Sequence, residues 1–188
     1  SHIALRVVST SKDQLIERPL LHQRLQQAIR RRGTITGTNA KRLVFSEADG
    51  LPGLIVDQYV DYVVVQFRSA GMNRLRAVIL ELLEALLHPR GILERSDKEF
   101  REEEGLPLVN QLLAGSVPER ILIEDDGLQF VIDPHHGLKT GFYLDQRDAR
   151  RWLRQLVAPR ERLLDVFSYT AAFGIAAANR GARVVCVE

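Results

Sequence analysis

Residues 163–187 carry the pattern that most restricts the fold: an apolar strand, a polar turn, a short helix and a second apolar strand. The strands are Leu163–Val166 and Ala182–Val187, and the helix between them is Phe173–Asn179, closed by Gly181. Two strands joined through a helix run parallel, because the crossover returns the chain to the same end of the sheet. The pattern therefore predicts a βαβ unit of an α/β fold, in which helices cover a parallel sheet.

Two acidic residues, Asp165 and Glu188, stand 23 positions apart near the ends of these strands. In a βαβ unit the ligand binds at the carboxyl ends of the strands, where an acid about twenty residues beyond the first turn accepts hydrogen bonds from ribose hydroxyls. The spacing therefore predicts a cofactor that contains adenosine, with Glu188 on the ribose. The structural alternative is that both acids are ordinary polar residues at strand ends, since any βαβ unit can carry them.

The turn between the first strand and the helix, Ser168–Ala172, contains no glycine. A dinucleotide site needs glycines there so that a pyrophosphate can approach the helix N-terminus. A nicotinamide-dependent oxidoreductase is therefore disfavoured. A cofactor with adenosine and an amino-acid tail, such as S-adenosylmethionine, is favoured, and Ser168, Tyr169 and Thr170 are expected to line its turn.

The segment Lys139–Arg147 precedes a predicted helix and carries further candidate groups. From here onwards the pattern reads strand, helix, strand, helix, strand. Asp145 is expected to cap the helix, with Asp148 three residues on in the capping-box position. Gln146 and Arg147 at the helix start are candidates to hold the carboxylate and ammonium groups of an amino-acid tail. The stripe expected to face the core is Ala149, Trp152, Leu153 and Leu156.

The chain before this segment has the pattern of a small α+β domain. Asp126–Gly127 between two alternating strands is the clearest hairpin signal, and Asp49–Gly50 with Pro52–Gly53 marks a second hairpin. The predicted helices are Leu15–Arg32 and Ala77–Leu87, and the predicted strands are Ile3–Val8, Arg42–Phe45, Tyr62–Phe67, Ile92–Arg95 and the hairpin Ile121–Asp133. The charged stretch Asp97–Glu104 is expected to be solvated.

The formal charge of the 188-residue chain is only +2, but the charges are distributed unevenly. Residues 1–50 carry nine basic and four acidic residues, residues 94–126 four basic and ten acidic, and residues 147–162 six arginines against two acids. The basic segments would attract a phosphate backbone, to which arginine offers a planar fork of donors. The alternative is that solvated helices simply carry charge. The candidate contacts to an RNA backbone are Arg150, Arg151 and Arg154.

Composition excludes several other classes. At 45% apolar and 27% charged residues, this is the composition of a globular protein. No run of about 18 uncharged apolar residues and no signal-peptide core is present, so we expect a cytoplasmic protein that does not enter a membrane. The presence of a single cysteine, Cys186, excludes a disulfide framework within the chain and a multi-cysteine metal cluster. Cys186 lies in an apolar strand and is expected to be buried. Adjacent His135 and His136 would face opposite sides, so no metal site is predicted.

Two long motifs identify a family. The segments Lys139–Arg147 and Asp165–Thr170 closely resemble the bacterial and archaeal S-adenosylmethionine-dependent methyltransferases that modify carbon 5 of a cytosine in large-subunit ribosomal RNA. Upstream, Ser46–Leu54 and Glu94–Asp97 resemble the central domain of that family, and Ile3–Ser9 resembles the last strand of its N-terminal RNA-binding PUA domain. The resemblance covers nearly the whole chain.

The resemblance implies a protein of three modules, often dimeric, that methylates 23S ribosomal RNA. It divides the chain into residues 1–37, the end of a PUA-like region with a linker helix; residues 38–138, a central α+β domain; and residues 139–188, the N-terminal part of a Rossmann-like, class I methyltransferase domain. The implied cofactor-binding residues are Gln146, Arg147, Asp165, Phe167, Ser168, Tyr169, Thr170, Phe173 and Glu188. The family's catalytic cysteine and target-base pocket are expected beyond Glu188, so the catalytic residue is unknown. A thiolate is needed because carbon 5 of cytosine becomes nucleophilic only after addition at carbon 6.

One departure from the family concerns the cofactor turn. Family members usually have two glycines where this sequence has Ala171–Ala172, so a methyl group is expected where backbone should approach the cofactor. A rival interpretation is a non-catalytic RNA-binding or dimerisation piece of such a protein, because half of a parallel sheet leaves an open apolar edge. The two interpretations differ in whether further βα units and a cysteine follow Glu188.

Overall fold

The computed structural model describes residues 5–96 and 100–188, which form a mixed α/β structure. The helices are α1 (Arg18–Gly33), α2 (Ala70–Arg74), α3 (Arg76–Leu87), α4 (Phe100–Glu103), α5 (Arg147–Leu156) and α6 (Ala172–Ala178). The strands are β1 (Ala40–Phe45), β2 (Leu54–Tyr59), β3 (Tyr62–Phe67), β4 (Gly91–Ser96), β5 (Val109–Gly115), β6 (Ile121–Asp125), β7 (Leu128–Ile132), β8 (Arg162–Val166) and β9 (Arg183–Val187). Short 3-10 turns lie at Ser46–Asp49 and Leu144–Gln146.

A five-stranded sheet in the order β1-β2-β3-β4-β5 forms the first half of the molecule. Its β3 and β4 run parallel and its other neighbours run antiparallel. The hairpin predicted around Asp49–Gly50 is confirmed, since β1 pairs with β2. The predicted helix over Leu15–Arg32 begins only at Arg18, because Pro19 sits in its first turn, where a missing N–H costs nothing.

The two faces of this sheet contact different partners. Along β3, Val63 and Val65 belong to a hydrophobic cluster with α1 and α3, whereas Val64 belongs to a second cluster. This alternation follows from the period of two residues in a strand. The second cluster contains the β6–β7 hairpin, Phe142 and two alanines of α6. The sheet therefore supports the later part of the chain on its second face.

The β6–β7 hairpin matches its sequence signal. Asp126 and Gly127 both have positive φ angles, of 52° and 76°, as a two-residue type I′ turn requires. The parallel βαβ unit is also confirmed: β8 and β9 pair in parallel, and α6 lies between them in the chain.

The strand expected at Lys139 is wrong. Lys139 and Gly141 have φ angles of 59° and 125°, which break an extended chain, and the Gly141 N–H donates to the Leu138 carbonyl at 2.9 Å. Residues 139–143 therefore form a turn. The strand expected over Ile3–Val8 is also not formed where it is described, because Leu5–Val8 are unpaired coil; residues 1–4 lie outside the described range.

The charged stretch Asp97–Glu104 is not solvated throughout. Arg101 is buried, and its guanidinium donates to the Phe67 carbonyl at 2.6 Å and to Asn73 at 3.1 Å, beside the Glu94 carboxylate. Residues 97–99 lie outside the described range. Arg101 is buried because the buried carboxylate of Glu94 stabilises its charge there, whereas an unpaired arginine would stay in water.

The stripe predicted to face the core on α5 is wrong. Trp152 and Leu156 are 70% and 72% exposed, whereas Arg147 and Arg150 are buried. Neither does Asp145 cap the helix, because the Leu144–Gln146 turn places Gln146 at the N-cap, without a side-chain cap bond. The reversal has an electrostatic cause: α5 packs on the carboxylates at the β6–β7 turn, and its arginines face them.

Candidate functional site

The βαβ unit places the two predicted acids at one sheet edge. In the parallel register Asp165 pairs with Cys186 and Val166 with Val187, so Glu188 follows β9 beside the end of β8. The Asp165 carboxylate accepts from the Gly174 N–H of α6 at 2.9 Å. The Glu188 carboxylate accepts from the Tyr169 N–H at 2.5 Å. Both carboxylates are therefore fixed by backbone donors of the intervening turn and helix.

A cavity of about 440 Å³ opens at this edge, a size within the usual range for small-molecule sites. Eight of the nine predicted cofactor residues line it: Gln146, Asp165, Phe167, Ser168, Tyr169, Thr170, Phe173 and Glu188. The sequence analysis missed Leu138, Tyr143, Arg150, Val166 and Ala172, which also line it. Tyr143 stands in the 139–147 motif, so the motif itself held the signal for that residue.

Arg147 does not line this cavity, and its predicted role is wrong. Its guanidinium Nε lies 3.0 Å from the Asp125 carboxylate, and the same group donates to the Thr36 carbonyl. The side chain is directed at the β6–β7 turn because two carboxylates there, Asp125 and Asp126, attract it.

The three arginines predicted to contact RNA also surround this turn. Arg150 is 3% exposed and pairs with Asp125 at 2.7 Å, a position that excludes it from an exposed RNA contact. Arg151 pairs with both oxygens of Asp126, at 2.5 and 2.6 Å. Arg154 donates to the Asp126 carbonyl at 2.8 Å. The hydrogen-bonded Arg151 guanidinium holds the pKa of the Asp126 carboxyl below its usual value.

The turn between β8 and α6 has an unusual backbone. Phe167, Tyr169 and Ala171 have φ angles of 60°, 48° and 53°, in the left-handed region that L-residues other than glycine rarely adopt. Ala171 is the N-cap of α6 and is not among the residues that line the cavity. Ala172 lines the cavity and is also buried in the second hydrophobic cluster. Of the two alanines, one therefore faces the cavity and the other carries the backbone strain.

Ala171→Gly is expected to raise the free energy of unfolding by about 1 kcal/mol, because glycine adopts this φ without a Cβ penalty. Urea denaturation measures the change. The matched control is Ala178→Gly at the end of the same helix, which is expected to lose at most about 0.5 kcal/mol, since the full propensity cost of glycine applies to a helix interior. A loss of stability in both variants would show that position 171 carries no strain.

A loop of residues 133–143 forms one wall of the cavity and is tied to the turn by Tyr169. The Tyr169 hydroxyl accepts from the Leu138 N–H at 2.9 Å and donates to the Gly141 carbonyl at 3.2 Å. Burial raises the pKa of this hydroxyl above its ordinary value. Arg95 of β4 donates to the carbonyls of Pro134 and Gly137, at 2.8 and 3.3 Å. The loop is therefore fixed from both the turn and the five-stranded sheet.

A buried polar network also anchors this loop to the five-stranded sheet. The Thr140 hydroxyl donates to Asp57 at 2.5 Å and accepts from the Tyr59 hydroxyl at 2.8 Å. Arg42 donates two hydrogen bonds of 2.8 Å to Asp57. Burial raises the pKa of Tyr59 well above its ordinary value. The sequence analysis missed this network, although Arg42 and Asp57 face each other in the hairpin that it predicted.

Cys186 is exposed, so the expectation that it is buried is wrong. No group of three or more metal-ligating side chains occurs among the described residues. Within the same ranges, no helix is long and apolar enough to cross a membrane.

Comparison with known proteins agrees with the geometry of this edge. Residues 107–188 match the S-adenosylmethionine-dependent methyltransferase family. The matched residues include every lining residue of the cavity.

Matches to individual proteins extend over most of the chain. A ribosomal RNA large subunit methyltransferase I of Yersinia pseudotuberculosis is 40% identical over 181 residues, covering 94% of this chain and 46% of the relative. A solved S-adenosylmethionine-dependent methyltransferase of Streptococcus mutans is 28% identical with a TM-score of 0.82, covering 97% of this chain and 47% of that one. Another solved methyltransferase, in complex with SAH, is 28% identical with a TM-score of 0.83 over the same shares. The chain thus spans about half the length of these relatives.

Proposed function

We propose that the chain is the central part, with the start of the cofactor-binding part, of an S-adenosylmethionine-dependent RNA methyltransferase. The observation that carries the proposal is the cavity at the carboxyl ends of β8 and β9, which is lined by Asp165 and Glu188 together with Ser168, Tyr169 and Thr170. Ligands of open α/β sheets bind at this edge. The solved relative in complex with SAH supports the same type of ligand.

The charges of the cavity fit a cationic cofactor. Of the described residues that line it, only Arg150 is a cation, and that guanidinium is already paired with Asp125. The lining also contains two carboxylates, Asp165 and Glu188, so its net charge is negative. S-adenosylmethionine carries a sulfonium and an ammonium group, which favour such surroundings, whereas a diphosphate would be repelled. The same charges argue against a nicotinamide cofactor.

Each wall of the cavity has a part in holding the cofactor under this proposal. Glu188 accepts from the ribose hydroxyls, and the aromatic rings of Phe167 and Phe173 contact the adenine. Gln146 and Asp165 lie on the side of the amino-acid tail. When bound, the cofactor supplies an electrophilic methyl group, while these residues bind and orient it.

The substrate we propose is large-subunit ribosomal RNA, with a cytosine of the 23S species methylated at carbon 5. The support for RNA is the name of the relatives that are 40% identical, and the support for cytosine carbon 5 is the resemblance of the 139–147 and 165–170 motifs. A cytoplasmic homodimer belongs to the same proposal. Arg151 and Arg154 remain proposed RNA contacts, because their guanidinium groups are only partly covered by the β6–β7 turn.

Glu188→Ala is expected to weaken the binding of S-adenosylmethionine roughly tenfold, because a charge-assisted bond to the ribose is lost. Isothermal titration of the chain with S-adenosylmethionine, and separately with NADH, measures the affinities. The matched control is Glu119→Ala, an exposed glutamate that does not line the cavity. Equal affinity in the Glu188→Ala variant, or tight binding of NADH, would contradict the assignment.

A further inference from the structure

A second cavity, of about 390 Å³, lies on the outer side of edge strand β1. It is enclosed by β1, the C-terminal end of α1 and the segment that leads into α5. Its lining residues are Arg32, Ile35, Ala40, Lys41, Arg42, Phe45, Leu144, Asp145 and Arg147. None of these residues lines the cavity at the ends of β8 and β9. The cavity therefore needs its own explanation.

A β-bulge shapes this cavity. The pairing of β1 with β2 shifts between Arg42 and Val44, so Leu43 is an extra residue on the edge strand. Three residues apart, Arg42 and Phe45 would lie on opposite faces of a regular strand, but the Arg42 guanidinium stands 5.4 Å from the centre of the Phe45 ring. Bulges re-aim side chains in this way, often beside functional sites. The ring is 48% exposed, so a planar group from solvent can reach it.

The cations of the cavity differ in how they are held. Arg32 is paired with Asp49, Arg42 with Asp57 and Arg147 with Asp125, so their positions are fixed. Lys41 has no carboxylate within ion-pair distance in the part of the chain that the structure describes. A further carboxylate, Asp145, lines the cavity and offsets part of the positive charge. Lys41 is the group best placed to meet an anion from outside.

We propose that this cavity binds one unpaired nucleotide of a single-stranded RNA, with the base stacked on Phe45 beside Arg42 and the phosphate at Lys41. The proposal rests on the proposed function, because it takes RNA as the substrate. An exposed aromatic ring next to cations is the arrangement by which proteins bind single-stranded RNA, since every base offers a face for stacking. A paired base is already stacked within its duplex and cannot enter a cavity beside an edge strand. The cavity thus selects an unpaired region of the RNA.

The test uses the 188-residue chain and a fluorescein-labelled single-stranded RNA of 12 nucleotides, at about that length because one such site and its flanks need several nucleotides. Fluorescence anisotropy gives affinities over a range of salt concentrations. Phe45→Ala is expected to weaken binding roughly tenfold without changing the salt dependence, because stacking is not ionic. Phe45→Trp keeps a stacking face and is expected to retain affinity. Lys41→Ala is expected to reduce the slope of log affinity against log salt by about 0.7, the share of one phosphate on a single strand.

Matched controls separate the site from general effects. Leu122→Ala removes an apolar side chain of similar exposure, 55%, and Lys12→Ala removes an exposed lysine; neither residue lines the cavity. Both are expected to bind the RNA as the parent chain does. Titration with S-adenosylmethionine in parallel keeps the two proposals apart, because Phe45→Ala should leave that affinity unchanged.

Three results would overturn the inference. The first is RNA affinity that is the same in Phe45→Ala and the parent chain, as expected if the surface meets a protein instead. The second is a loss of affinity in Phe45→Ala that is equally large when the same RNA is supplied as a duplex. The third is competition by adenosine monophosphate at the concentration at which the unlabelled RNA competes, which would assign the cavity to free nucleotides. Any of these, with cofactor binding intact, leaves the proposed function in place.

Discussion

Asp57→Ala is expected to lower the free energy of unfolding by about 3 kcal/mol, the lower end of the cost of breaking a buried ion pair. The Asp57 side chain is fully buried and accepts from Arg42 and Thr140. Its removal leaves the Arg42 charge and the Thr140 hydroxyl without their acceptor. Since the Arg42 side chain is 24% exposed, water recovers part of the loss, which is why the upper end of the range is not expected. Urea denaturation followed by circular dichroism measures the change.

The control for this prediction is Asp61→Ala, an exposed aspartate after the same strand, which is expected to change the stability by less than about 0.5 kcal/mol. Asp57→Asn keeps the shape and part of the hydrogen bonding, so it provides a folded variant if alanine is too destabilising. Combined with Thr140→Val, it forms a double-mutant cycle in which we expect a coupling of about 1 kcal/mol. Additive losses in the cycle would show that Asp57 and Thr140 do not act together.

The same network bears on the candidate site. Thr140 lies between Leu138 and Tyr143, which line the cavity, and Asp57 belongs to the five-stranded sheet. The loop reaches its position because Asp57 and Tyr59 hold it from the sheet and Tyr169 holds it from the turn between β8 and α6. The central sheet therefore takes part in shaping a cavity whose other residues belong to the βαβ unit.

The sequence predicted the parts of the site that depend on local periodicity. The acids at 165 and 188 lie at the same sheet edge because the strands are parallel, and parallel pairing follows from the strand–helix–strand order alone. The hairpin at Asp126–Gly127 likewise follows from turn chemistry. These features require no knowledge of what packs against them.

The features that were predicted wrongly depend on tertiary partners. On α5 the apolar stripe at Trp152 and Leu156 is regular, yet the surface that meets the helix carries Asp125 and Asp126, so the arginine face packs inward. A strand was predicted from Lys139, but its loop bends to bring Thr140 to Asp57. In both cases a buried carboxylate decides the local structure, because leaving a buried charge unpaired is costly.

Gly174→Val is expected to lower the free energy of unfolding by about 3 kcal/mol, at the upper end of the cost of overpacking. A Cβ at Gly174 would lie 2.5 Å from the Cys186 Sγ, 3.1 Å from a Val184 methyl and 3.2 Å from the Asp165 carboxylate. These atoms belong to β8 and β9, so the added group presses on both strands. The helix cannot move away freely, since its Gly174 N–H is bonded to Asp165. Urea denaturation again provides the measurement.

Ala178→Val places the same side chain at an exposed position at the end of the same helix, where nothing opposes it; about 0.5 kcal/mol of loss is expected there, because valine has a lower helix propensity than alanine. Adding Cys186→Ala to Gly174→Val removes the nearest clashing atom. The double variant is therefore expected to be about 1 kcal/mol more stable than the sum of the two single losses. Equal losses at positions 174 and 178 would contradict close packing of α6 on the strands. That packing also fixes Asp165 at the cavity edge, so Gly174→Val should weaken cofactor binding, whereas Ala178→Val should not.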